Sequence, residues 1–111
     1  MPFRPSAVVA HPDLQPKLDG LAELAGENKQ PASAIWKAVR TAIARIKNDG
    51  QWGEVIPKPA LPRRYVEAFG ITNLYCVDLP SFHRLFYTIR DRDVILLDLV
   101  DHRVYNRLMK G

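Results

Sequence analysis

Three side chains in the C-terminal part of the chain have the chemistry to hold an anion and move a proton: Arg84, His102 and Tyr105. A guanidinium is permanently charged and forks onto two oxygens of a phosphate or carboxylate. An imidazole, with an ordinary pKa of roughly 6.5, exchanges its proton near neutrality. A phenol can donate or accept a hydrogen bond beside them. Lys58, Arg63, Arg64, Arg90 and Arg103 add cations that could line the path of a polyanion. Each residue also has a plainer reading. Arg84 can lie by its stem on a sheet face, paired with Asp78 or Asp98. His102 can simply cap or pack in a first helical turn, and Tyr105 falls with Val104, Leu108 and Met109 on a helical wheel. Lys58–Arg64 can be a solvated loop.

The elements that must position these groups lie between Phe82 and Lys110. Phe82–Arg90 alternates, with His83, Leu85, Tyr87 and Ile89 on one face and Phe82, Arg84, Phe86, Thr88 and Arg90 on the other. Successive strand side chains point to opposite faces, so the first set is expected in the core. The second set would then put two guanidinium groups on an aromatic-lined face. Asp91–Arg92 reads as a turn, and Val94–Val100 is an almost unbroken apolar run suited to a strand covered on both faces. Asp101 stands where a helix N-cap belongs, ahead of a basic helix over His102–Lys110.

Upstream, Ala7–His11 reads as a first strand, ended by His11-Pro12. Asp13 is placed to cap a helix carrying Leu14, Leu18, Leu21 and Ala25, with Pro16 in its first turn and Gly26 at its end. Pro31 opens a second helix, in which Ile35, Ala38, Val39, Ala42, Ile43 and Ile46 recur at the spacing of one buried stripe and Gly50 is the stop. The two helices are expected to pair on one side of a sheet. Pro57, Pro59 and Pro62 break Gln51–Leu61, after which a short helix to Phe69 closes at Gly70. Asn73–Leu79 alternates again, and Pro80–Ser81 turns the chain into Phe82.

A chain of 111 residues fits one domain. Its net charge of +4 makes RNA, DNA or an acidic protein a credible partner. Cys76 is the sole cysteine, so neither an internal disulfide nor a cysteine metal cluster can form, and it is expected to act as a small buried hydrophobe. His11, His83 and His102 lack a matching carboxylate spacing, which argues against a metal site; His11 and His83 read as structural. No apolar run approaches the ~20 residues needed to span a bilayer, so no membrane partner is expected and a cytoplasmic location is the default.

The order of elements, with Asn73–Leu79 feeding HRLFYTI, VILLDLV and DHRVYNRL, resembles the RelE/ParE superfamily of type II toxin–antitoxin toxins. Its most specific matches are Arg84–Thr88 on the middle strand and His102, Arg103 and Tyr105 after the last one. The resemblance implies an α+β domain. A mostly antiparallel four-stranded sheet, from residues 7–11, 73–79, 82–90 and 93–100, would carry two N-terminal helices on one face and end in a short helix. It implies a cognate antitoxin protein that covers the Arg84 face. It also implies one of two activities. Many members are ribosome-dependent endoribonucleases that cut messenger RNA in the ribosomal A site, without metal or cofactor; others poison DNA gyrase.

Metal-free RNA cleavage needs a base, an acid and cations around the pentacoordinate phosphate. The family's strand arginine corresponds to Arg84 and its proton-transfer residue to His102, with Tyr105 and Lys58 as assistants. Arg63, Arg64, Arg90 and Arg103 would help to hold RNA. One departure bears on this scheme. Many ribonuclease members carry further basic residues on the preceding strand, where this chain has Cys76 and Asp78, and an acidic side chain facing a phosphate would repel it. A gyrase poison or a catalytically dead partner-binding module is therefore the alternative.

Overall fold

The structure is a computed structural model and describes residues 3–110. Its longest helix follows from the stripe noted above. Helix α2 (Ala32–Asn48) buries Ile35, Val39, Ala42 and Ile46 at three-and-four spacing. Helix α1 (Gln15–Gly26) precedes it and buries Leu18, with Pro16 harmless in the first turn. Asp13 does not cap α1. Leu14 holds that position, and the Asp13 N–H donates to His11 Nδ1 at 3.1 Å. Gly50 is not a left-handed stop either, since α2 ends in extended backbone at Asp49. Glycine is needed there for close approach: a Cβ on Gly50 would lie 2.6 Å from the Phe3 ring.

Five strands form one sheet: β1 (Ala7–Ala10), β2 (Glu54–Val55), β3 (Tyr75–Leu79), β4 (His83–Arg90) and β5 (Asp93–Asp101). Their order is β1-β5-β4-β3-β2. The pairs are antiparallel except β1 with β5, which is parallel. The α+β class holds, but the expected four-stranded, mostly antiparallel sheet becomes a mixed sheet of five. The extra strand β2 has two exposed residues beside a proline-rich stretch, too short for any alternation to declare it. The parallel pairing of β1 is a long-range choice that no local pattern encodes.

Both faces of this sheet are covered. Against the first pack α1 and α2, with Leu14, Ile35, Val39 and Ile46 meeting Leu85, Tyr87, Val94 and Leu99. The second face was expected to carry two guanidinium groups among aromatic side chains; Phe86 on it is fully buried and Thr88 nearly so. Helix α3 (Arg63–Phe69), helix α4 (His102–Lys110) and the segment around Ile56 and Ile71 close over it. Alternation alone cannot show that two short helices return to roof the second face. Gly70, at φ 62°, ends α3 in the left-handed conformation that glycine adopts without strain. Cys76 is buried on this second face.

A β-bulge shapes β5. Phe86 pairs with Asp98 and Tyr87 with Leu96, leaving Leu97 as the extra residue. Before it, Val94 and Leu96 face the α1–α2 core; beyond it, Leu99 does so and Val100 faces the other way. Strand β4 starts at His83 rather than Phe82. Pro80, Ser81 and Phe82 form the three-residue turn from β3, the last two at φ 59° and 58°. Among the described residues no helix is long and apolar enough to cross a membrane.

Candidate functional site

Arg84 stands at the margin of the second face, where β3, β4 and α4 meet. The strand register places it directly opposite Asp78, and Arg84 Nε lies 3.0 Å from Asp78 Oδ1. The guanidinium carbon sits 5.0 Å over the Tyr105 ring, a cation–π arrangement that holds the charge flat on an aromatic surface. Tyr105 in turn stacks on the buried Phe86 at 6.0 Å between centroids. Arg84 is thus held between a carboxylate and a ring anchored in the core. Its partner Asp78 is far more exposed, with 75% of its side chain open to solvent against 25% for Arg84.

Helix α4 is fixed in place by its first residue boundary. Asp101 Oδ1 accepts the Val104 N–H at 3.0 Å, the N-cap bond expected from the sequence. That bond, aided by the Arg103 N–H and the charge of His83, holds the Asp101 carboxyl below its ordinary pKa. The cap sets the first turn, so His102 and Tyr105 project one turn apart. His102 is exposed, its Nε2 is 3.1 Å from Asn106 Nδ2, and its ring lies 6.0 Å from that of Phe82. Phe82 was not singled out from the sequence. Its ring is 75% exposed, an unusual state for a phenylalanine in a left-handed turn position. Read as the first residue of a strand, it carried no such signal.

The remaining cations divide among several places. Arg103 is exposed in the first turn of α4. Lys58 opens an exposed 3₁₀ turn, Lys58–Ala60. Arg63 and Arg64 begin α3 but line a different feature, a cleft of about 920 Å³ between α1 and α4 that Arg84 does not border. Arg63 is also engaged by Glu67 at 3.1 Å. Arg90 lies at the far end of β4, roughly 20 Å from Arg84 at the usual strand rise. There its Nη2 donates to the last carbonyl of α3, Phe69 O, at 2.8 Å. The structure therefore gathers Arg84, His102 and Tyr105, with Phe82 beside them, and leaves Lys58, Arg63, Arg64 and Arg90 apart.

His11 and His83 have local roles. His11 meets Phe69 edge-on at 4.8 Å, and His83 Nδ1 is 2.8 Å from Ser81 O. Among the described residues no group of three or more His, Cys, Asp or Glu side chains could hold a metal ion. The buried Cys76 thiol is pushed up to about 12 by burial, which keeps it a neutral hydrophobe rather than a nucleophile. At this margin the structure sets a guanidinium, paired with Asp78 and seated on Tyr105, and an exposed imidazole at the start of α4. No protein-family model matches this sequence, and comparison with curated proteins and with solved structures found no match.

Proposed function

We propose that this chain is the toxin of a type II toxin–antitoxin pair, RelE/ParE-like in architecture, and that it cleaves messenger RNA in the ribosomal A site without a metal. The observation that carries the reading is the seating of Arg84 on the Tyr105 ring, with His102 one turn before that tyrosine. Arg84 stabilises the charge that builds on the scissile phosphate, and His102 transfers a proton to or from a ribose oxygen. Tyr105 is a positioning residue that keeps the guanidinium in place. The Asp78 pair is no bar to this. Asp78 is the exposed member of the pair, with 75% of its side chain open to solvent, so its carboxylate can swing away and a phosphate can take its place. A cognate antitoxin covers the same margin with an acidic segment and keeps it from RNA.

A second reading rests on the same Asp78. A guanidinium neutralised by its cross-strand neighbour suits a protein that binds a partner, such as DNA gyrase, without cutting RNA. Expression in a bacterial host separates the two. On the first reading, growth arrest comes with new 5′ ends in cellular messages by primer extension. Both are lost in Arg84→Ala and His102→Ala, with a fall of about 10²–10³ in cleavage rate for the arginine. Arrest that persists in both folded variants, with messages intact and DNA breaks appearing, would reject the ribonuclease and leave the gyrase poison.

A further inference from the structure

The edge of β5 is only half used. Strand β1 pairs with Asp93–Leu96, the last bond of that run is His11 N–H to Leu96 O at 2.8 Å, and the chain then turns away into α1. Leu97–Asp101 therefore has β4 on one side and, among the described residues, no strand on the other. At its middle, side chains take the part of a missing strand. The Leu99 carbonyl accepts from Lys17 Nζ at 2.8 Å, and the Leu99 N–H donates to Asp98 Oδ1 at 2.9 Å. Asp98 is itself fixed by the Tyr65 hydroxyl, which donates to Oδ2 at 2.7 Å. Lys17 is held more loosely, with 52% of its side chain exposed.

Charged side chains commonly protect open edges. Here, however, the protected edge is also the floor of the 920 Å³ cleft between α1 and α4. Leu21 and Leu24 wall it on the α1 side, Val104 and Leu108 on the α4 side. Arg64 and Arg107 stand at its mouth, and neither has an ion-pair partner among the described residues. The acids nearby are already committed: Asp98 to Lys17 and Tyr65, Asp101 to the α4 cap.

We propose that this cleft binds an extended segment of a partner protein, apolar at its centre and acidic at its flanks, which displaces Lys17 from the Leu99 carbonyl and Asp98 Oδ1 from the Leu99 N–H and pairs with Leu99 as an added strand. A peptide backbone offers the alternating donor and acceptor that Leu99 presents. Its alternate side chains would point to the α1 and α4 walls in turn, and its carboxylates would meet Arg64 and Arg107. A phosphate group or a fatty anion could satisfy the cations but offers no N–H to the Leu99 carbonyl. The proposal does not depend on RNA cleavage, because Arg84 and His102 lie outside the cleft.

The test uses the full chain and a fluorescein-labelled peptide with a Val-Leu-Val-Leu-Val centre and Glu-Asp flanks. Fluorescence anisotropy reads affinity, and amide hydrogen exchange reads Leu97–Asp101. Binding should slow exchange across that segment. N-methylating alternate peptide amides should weaken binding by about tenfold or more, since each blocked bond strands a backbone group. Reversing both Arg64→Glu and Arg107→Glu should weaken it by a similar factor. Lys17→Met should tighten it several-fold, because the incoming strand no longer competes with the lysine for the Leu99 carbonyl. Arg84→Ala should leave it unchanged, so this result and the ribonuclease test succeed or fail separately. No binding at about 1 mM peptide, binding without protection of Leu97–Asp101, indifference to N-methylation, weaker binding by Lys17→Met, or full competition by dodecyl phosphate would each overturn the proposal.

Discussion

The two faces of the sheet are made from the same strands but roofed by different means. Two helices of 12 and 17 residues cover the first. Helices of seven and nine residues and an irregular proline-bearing segment cover the second. Long helices bury a continuous stripe and leave little but apolar contact beneath them. Short ones leave seams, and polar groups collect there: Arg84 beside Tyr105, Asp98 beneath Tyr65, and Asn73 holding Thr88 and the Ile89 backbone. The candidate phosphate site and the α1–α4 cleft lie on opposite flanks of α4 for this reason. Polar side chains thus collect under the thinner roof and at its join with α1, where the cleft opens.

The comparison breaks most easily at the cores. Phe86 is as deeply buried as Val39 or Ile46, so Phe86→Ala should lower unfolding free energy by about 3–5 kcal/mol and Ile46→Ala by about 2–5. Denaturant titrations would show it, and a loss under about 1 kcal/mol for Phe86→Ala would mean that the second roof is only loosely seated. Next in size is the polar seam. Tyr65→Phe strips Asp98 of a buried donor and should cost about 1–3 kcal/mol by the same measurement.

The seams also carry a pH dependence. Burial raises the Cys76 thiol from 9.0 to about 12. A raised acid that is neutral when protonated stabilises the fold fully below its unfolded pKa. That contribution is lost as pH climbs from 9 towards about 12. Cys76→Val should therefore flatten the onset of alkaline destabilisation, leaving the later part, where Tyr87 is pushed up to about 12 by burial, in place. Thermal melts at stepped pH would show the difference. The smallest effect belongs to the surface: Asp78→Asn should change stability by no more than about 1 kcal/mol. On the ribonuclease reading it should nonetheless strengthen RNA binding in a filter assay, because Arg84 is then free; unchanged binding would count against Arg84 as the anion seat.

Much of this arrangement was legible in the residues. The α2 stripe, the β4–β5 hairpin, the Asp101 cap and the αL glycine at Gly70 are local patterns, each decided within a few positions. Arg84, His102 and Tyr105 could be chosen by type and placed near one another by element order. The Asp78 pairing was one of two options until the β3–β4 register decided it. What could not be read was set by contacts far apart in the chain. The parallel β1, the roofing of the second face by α3 and α4, and the half-open β5 edge all depend on segments separated by tens of residues. Phe82 escaped notice because alternation reads it as one more strand residue, whereas its turn geometry turns the ring outward.

The bulge at Leu97 makes β5 behave like a message with a shifted frame. Upstream of it, even-numbered residues read onto the α1–α2 core; downstream, odd-numbered Leu99 does, and Val100 is handed to the other face. The run VILLDLVD is acceptable only because of that shift. Without it Asp98 would fall on the apolar α1–α2 side, losing Tyr65, and Leu99 would turn towards α4. Spacing in this strand is therefore under tighter constraint than identity. Exchanging one aliphatic residue for another leaves every letter in its place, and deleting the extra Leu97 would keep Asp98 opposite Phe86 and Leu96 opposite Tyr87, whereas deleting Leu99 would misread Val100 and Asp101.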